Sequence, residues 1–253
     1  MDLGLKGRRC VVLGGSRGIG RSIALGLAAE GADVAICARK EGPLRAAEAE
    51  ISGAGVRAFA QSCDVGDFDA LAAFLDAARG ALGGVDVLVH NASALALGPS
   101  LDDWTASLQV DLMAGVRAAE QVMPWMEEAG GGAILYVSSA SGLEAGPAPD
   151  FGYTAAKAAL IAHAKKLAVI HAPRGIRVNA IAPGSVEFPG GLWASVKEAQ
   201  PEFYEMVRSS IPWGRLGTPE EVADAAVFLV SPRARWIAGE CLSVDGAQHR
   251  GMR

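Results

Sequence analysis

Six short runs of the chain are mainly apolar, and alanine-rich or amphipathic stretches separate them. The runs are RCVVLG, ADVAICA, VRAFA, VDVLVH, GAILYVS and IRVNAIA, and ECLSVDG near the end could be a seventh strand. Between them the pattern predicts helices from Ile19 to Glu30, Pro43 to Ser52, Phe68 to Leu82, about Asp102 to Glu128 and about Gly152 to His171. Strands buried on both faces and alternating with helices indicate βαβ units and a parallel sheet covered on both sides. The expectation is one α/β domain over residues 1–253, built on a doubly wound seven-stranded parallel sheet with helices on both faces.

The alternation breaks between Pro183 and Pro212, where PGSVEFPGGLWASVKEAQPEFYEMVRSSIP is rich in Gly, Pro and aromatics. Long segments without a regular pattern are often lids or binding loops. This one follows a strand's carboxyl end, where open α/β sheets bind ligands. A substrate lid is expected at about 184–212.

Composition narrows the class. At 253 residues and 51% hydrophobic, the chain can bury a core without staples. A net charge of −5 gives no electrostatic footprint for nucleic acid. The longest apolar stretches, such as AAVFLV, fall far short of a membrane span. The start, MDLGLKGRRC, lacks the apolar region of a secretory signal. Cys10, Cys37, Cys63 and Cys241 are scattered, and the four histidines make no metal-binding pattern. No metal is expected, and a reduced, cytoplasmic compartment is.

Three stretches carry candidate chemistry. VVLGGSRGIG ends the first strand and opens the first helix, with glycines at 14, 15, 18 and 20. Glycines there let backbone N–H groups approach a pyrophosphate at a helix N-terminus. The second strand ends ICARK, so Ala38 stands where an acid would bind a ribose 2′-hydroxyl. Arg39 and Arg17 converging on that corner suit a 2′-phosphate, which favours NADP(H) over NAD(H). The stretch FGYTAAKAAL sets Tyr153 and Lys157 one helical turn apart on one face. An ammonium beside a phenol favours the phenolate, and such a phenol can exchange protons.

Together these motifs resemble the short-chain dehydrogenase/reductase family, in its compact branch that includes 3-oxoacyl-carrier-protein reductases. The resemblance runs from Lys6 to Gly246. It implies a Rossmann-like fold and a homotetramer built from the helices at about 102–128 and 152–171. The matching cofactor turn is Gly14, Ser16, Arg17, Gly18, Ile19 and Gly20. Asp64 and Val65, in CDV, match the adenine pocket; Asn91 and Ala92, in HNAS, match the family's Asn-Asn-Ala-Gly. Pro183, Gly184 and Val186 match the turn that lines the nicotinamide. The implied mechanism passes hydride between nicotinamide and a carbonyl carbon. Tyr153 exchanges the proton, Lys157 supports it and binds the ribose, and Ser139 rather than its neighbour Ser138 polarises the oxygen.

Four positions depart from the family. Asp111 replaces an asparagine thought to hold a water beside the lysine. Leu13 stands in place of Thr, and His90 and Ser93 replace Asn and Gly, with His90 expected to be structural. The candidate lid offers Phe188, Leu192, Trp193, Phe203, Tyr204 and Met206, with Trp213 beyond it and Leu95 and Leu97 opposite. Such a lining suits an apolar substrate, and the same aromatics could equally pack the lid on its own domain. Glu127 and Glu128 disfavour docking of an acidic carrier protein, so a small free ketone or secondary alcohol is expected ahead of a carrier-bound 3-oxoacyl group. The competing class is a nucleotide-binding sensor that lost catalysis through Asp111.

Overall fold

The computed structural model describes residues 2–252. In chain order the main elements begin β1 (Arg9–Leu13), α1 (Gly18–Ala29), β2 (Asp33–Ala38), α2 (Glu41–Gly53), β3 (Ala58–Ser62), α3 (Phe68–Leu82) and β4 (Val87–His90). They continue with α4 (Leu101–Ala106), a π-helical stretch (Ser107–Met113), α5 (Ala114–Glu128), β5 (Gly132–Val137), α6 (Phe151–His171) and β6 (Ile176–Pro183). The last are α7 (Leu192–Ala199), α8 (Pro201–Ser210), α9 (Pro219–Val230) and β7 (Cys241–Val244).

The strands form one seven-stranded sheet in the order β3-β2-β1-β4-β5-β6-β7, every neighbouring pair parallel. Successive strand residues point to opposite faces, and here both faces are buried. Val11, Leu13 and Leu88 pack on one side against Phe74, Val122 and Leu160 from α3, α5 and α6. Cys10, Val12 and Val89 pack on the other against Ile23, Leu44 and Val227 from α1, α2 and α9. That double burial is why the runs are apolar throughout. Leu13, the departure from Thr, is fully buried in the first of these layers.

Local chemistry sets the helix ends. Asp67 accepts from the backbone N–H groups of Asp69 and Ala70 to start α3, and Gly83, with φ of 80°, ends it. Thr218 and Glu221 form a capping box around Pro219 at the start of α9.

Two elements differ from expectation. The long helix expected over 102–128 is α4, a π-helical stretch and α5 in succession, so one turn is widened where Asp111 sits. The segment expected to be irregular contains α7 and α8, packed around Tyr204, Ile211 and Leu216 with Trp193 and Val196 beside them.

Strand order reverses between β1 and β4, which diverge to either side. The crevice at the carboxyl ends of strands near such a reversal is the general ligand site of open α/β sheets.

Candidate functional site

A cavity of about 1410 Å³ opens at that crevice. Its volume exceeds the few hundred to about 1,000 Å³ typical of a site for one small ligand. It runs from the glycine-rich turn across the carboxyl ends of β1, β4 and β5 to α7 and α8.

The glycine turn is built by close approach. Gly14 has φ of 81°, and a Cβ on it would lie 2.9 Å from Ala92 Cα. A Cβ on Gly20 would lie 2.2 Å from Gly14 O and 2.3 Å from Asn91 Nδ2. Asn91 Nδ2 donates to Gly14 O at 3.0 Å, which ties the β4 end to the turn. Gly14, Ser16, Arg17 and Ile19 line the cavity. Gly18 and Gly20 do not: Gly20 packs beneath the turn, and the Phe188 ring covers Gly18. Arg39, Asp64, Val65, Asn91 and Ala92 line the same end, joined by Lys40, which the sequence reading missed. Asp64 Oδ1 accepts from Gly66 N at 3.0 Å. Arg17 Nη1 donates to the Gly190 carbonyl at 3.2 Å, linking the turn to the segment before α7. A cradle in which added Cβ atoms would collide, opening on a helix N-terminus with Arg17, Arg39 and Lys40 at one rim, fits a dinucleotide.

At the other end, Ser139, Tyr153 and Lys157 line the cavity together. Tyr153 and Lys157 share one face of α6, with Nζ 5.5 Å from the Tyr153 ring centroid. Lys157 is 2% exposed; its Nζ donates to the Val137 carbonyl at 3.0 Å and sits 3.1 Å from Asp111 Oδ1. The Ser138 hydroxyl donates to the Lys157 carbonyl at 2.8 Å, so it is committed to holding α6 against β5. The Ser139 oxygen accepts from Ser141 N at 3.1 Å, which leaves its own hydrogen free to donate. That difference separates two neighbouring serines that the sequence alone distinguished only by resemblance.

Asp111 lies behind the cavity wall, 0% exposed. Its Oδ2 accepts from Ala94 N at 3.0 Å, and its carbonyl lies 3.0 Å from His90 Nε2. The contact of Oδ1 with Nζ is an ion pair whose angles fall outside hydrogen-bond geometry. A buried carboxylate facing a buried ammonium is costly to desolvate and costly to break. His90 is fully buried between this carbonyl and Gly115, where a Cβ would come within 2.6 Å of its ring. Burial, with the Lys157 charge behind it, pushes His90 down to about 4. A neutral, enclosed imidazole fits the structural role expected of it.

The remaining aromatics divide. Trp193 and Phe203 line the cavity and stack at 6.1 Å between centroids; Phe188, Leu192, Leu95 and Leu97 line it too. Tyr204 hydrogen-bonds Glu187 instead, and Met206 and Trp213 are exposed outside it. Leu95 has φ of 50°, a left-handed conformation uncommon for leucine, braced by Leu95 N donating to Ser93 Oγ at 3.0 Å. Pro183, Gly184 and Val186 line the floor, and with them comes Gln248, a residue with no role in the sequence reading. Among the described residues no cluster of His, Cys, Asp or Glu could hold a metal, and no helix is long and apolar enough to cross a membrane.

Comparison with known proteins agrees with this architecture. A family model described as enoyl-(acyl carrier protein) reductase matches residues 14–249. Isoepoxydon dehydrogenase of Penicillium expansum is 36% identical over 99% of this chain and 98% of its own. Cis-4-hydroxycyclohexanecarboxylate dehydrogenase of Sinomonas cyclohexanicum is 38% identical over 94% and 95%. A 7α-hydroxysteroid dehydrogenase solved with NADH and 7-oxo glycochenodeoxycholic acid superposes with a TM-score of 0.91 at 31% identity, over 100% of this chain and 98% of that one. These relatives are named as dehydrogenases, and the matches cover nearly the whole chain. The chain belongs to the short-chain dehydrogenase/reductase family.

Proposed function

We propose that the chain is an NADP(H)-dependent oxidoreductase that interconverts an alicyclic secondary alcohol and its ketone. The observation that carries this reading is that Ser139, Tyr153 and Lys157 face the same cavity as the glycine turn. The bound nicotinamide would supply or accept the hydride. Tyr153 would donate its phenolic proton to the carbonyl oxygen in reduction and take one back in oxidation. The Ser139 hydroxyl would hold the same oxygen and stabilise the charge that develops on it. Lys157, held by the Val137 carbonyl and Asp111, would support the phenolate electrostatically and hydrogen-bond the cofactor ribose. Gly14, Ser16 and Ile19 would receive the pyrophosphate, Asp64 and Val65 the adenine, and Pro183, Gly184 and Val186 the nicotinamide. Arg17 and Arg39 would clamp a 2′-phosphate, with Ala38 offering no carboxylate to a ribose diol.

The ring preference rests on two supports. Leu95, Leu97, Trp193, Val196 and Phe203 give the cavity an apolar wall that suits a carbocycle. The relatives named above act on a hydroxycyclohexane carboxylate and bind an oxo-steroid, both with the reacting oxygen on a six-membered ring. The segment 184–212, tied to the turn through Arg17 and Gly190, would act as the lid. Exposed Leu108, Val169 and Ile170 on the π-helical stretch and α6 are the faces we assign to homotetramer contacts.

The test is initial rates with NADP+ and NAD+ on cyclohexanols, hydroxysteroids and linear secondary alcohols of equal carbon number, and with the reduced cofactors on the matching ketones. Ring substrates turned over with NADP(H) at least tenfold more efficiently than with NAD(H) are the expected result. Preference for linear substrates would refute the ring assignment, and preference for NAD(H) the cofactor assignment.

A further inference from the structure

After β7 the chain turns back on itself. Gly184 N donates to the Val244 carbonyl at 3.1 Å, the last backbone bond between β6 and β7. Asp245 then organises the reversal. Its Oδ1 accepts from Ala247 N at 3.0 Å; its Oδ2 accepts from His249 N at 3.0 Å and contacts His249 Nδ1 at 2.6 Å. Burial works to raise the Asp245 carboxyl, but these bonds outweigh it and hold it below the usual range. Ala247 sits at φ of 65°, a left-handed conformation that a non-glycine residue adopts at a cost.

The turn delivers Gln248 to the cavity floor. Ser185 N donates to Gln248 Oε1 at 2.8 Å, and Gln248 Nε2 donates to Ser185 Oγ at 3.1 Å. The carboxamide thus pins Ser185 through two bonds, one to its backbone N–H and one to its hydroxyl. Gly184 allows this approach: a Cβ there would lie 2.6 Å from Gln248 Oε1. Two further bonds spread the tail across the mouth. Trp213 N donates to the Gly246 carbonyl at 3.3 Å, and Arg250 N donates to Glu144 Oε2 at 2.8 Å. One short tail therefore joins the segment after α8, the turn after β6 and the loop after β5 that follows Ser139.

We propose that the tail from Asp245 to Arg250 is a built part of the active site, with Gln248 the positioning residue that holds the Gly184–Val186 turn in shape to receive the nicotinamide. The inference rests on the dinucleotide reading above and deepens it. The left-handed Ala247 and the bonds at Asp245 shape the turn that carries Gln248 to this position. Gln248 acts through Ser185. It would touch the adenosine half of the cofactor nowhere, since that half would be held at the far end of the cavity by Arg39 and Asp64.

This separation supplies the experiment. Affinities of the full-length protein for NADPH and for 2′-phospho-ADP-ribose, which lacks the nicotinamide, are measured by calorimetry for wild type, Gln248→Leu and Gln248→Glu. Leucine fills the space but makes neither bond; losing two neutral hydrogen bonds is expected to weaken NADPH about tenfold. The fragment should bind all three proteins alike. Glutamate can accept from both Ser185 N and the Ser185 hydroxyl, so Gln248→Glu should restore NADPH binding. Unchanged NADPH affinity in Gln248→Leu would overturn the proposal. Equal weakening of NADPH and fragment would also overturn it, because that marks a general structural role. Wild-type protein that bound neither NADPH nor NADH would overturn the dinucleotide reading itself, and this inference with it.

Discussion

Asp111→Asn is the substitution that would return this chain to its family's pattern, yet the structure predicts that it is harmful here. The carboxylate uses its two oxygens differently: Oδ2 accepts from Ala94 N, and Oδ1 faces the Lys157 ammonium. Asparagine has one oxygen. If that oxygen stays on Ala94 N, the amide N–H groups face the ammonium; if it turns to Lys157, they face Ala94 N–H. Either arrangement opposes two donors. At 3.1 Å two unit charges attract by roughly 5 kcal/mol at an effective dielectric of about 20. Lys157 stays desolvated in the variant and keeps only the Val137 carbonyl as its strong partner. The expected loss of stability is therefore about 3 kcal/mol, at the low end for breaking a buried pair. Urea denaturation at pH 7 measures it directly. A variant equal in stability within about 0.5 kcal/mol would refute the ion-pair reasoning.

Three further predictions follow from the geometry. Arg39→Ala should lower the preference for NADP(H) over NAD(H) by about tenfold or more, since a charge-assisted bond to the 2′-phosphate is lost; an unchanged ratio of kcat/KM values counts against the assignment. Gly20→Ala drives a methyl group into Gly14 O and Asn91 Nδ2, and should cost about 1–3 kcal/mol of stability together with cofactor affinity; calorimetry showing neither would contradict the packing of the turn. His90 is held at about 4 by burial, whereas an unfolded chain binds that proton from about 6.5. Its stabilising contribution is complete above pH 6.5 and is lost as pH falls toward 4. Between pH 7.5 and 4.5 the wild type should lose about 2–3 kcal/mol more than His90→Asn, and parallel losses would contradict the burial argument.

The sheet was legible because burial on both faces leaves unbroken apolar runs, such as CVVL and VLV, that few other settings tolerate. The helices at 68–82 and 152–171 were legible from the spacing of their buried positions, within a residue of their ends. The π-helical stretch at Ser107–Met113 was not. Widening one turn shifts backbone bonds without changing which residues are apolar, and the chemistry of LQVDLM carries no mark of it. Helices α7 and α8 were hidden by the Gly and Pro residues around them, which read as loop although they sit at the helix ends. In the site, spacing alone set Tyr153 and Lys157 on one face. The commitment of Ser138 to the Lys157 carbonyl, and the contact of Arg17 with Gly190, are tertiary facts with no local signal. Gln248 was illegible for the same reason. Its partner Ser185 lies 63 positions away, and only the turn built by Asp245 brings them together.

The central claim is that Tyr153 is the proton donor at this carbonyl site. The most direct measurement compares wild type with Tyr153→Phe for NADPH-dependent reduction of a ring ketone, with NADPH binding followed in parallel. The account predicts a fall in kcat of about two to four orders of magnitude with binding kept within a few fold. A variant that turns over the ketone within threefold of wild type would contradict it.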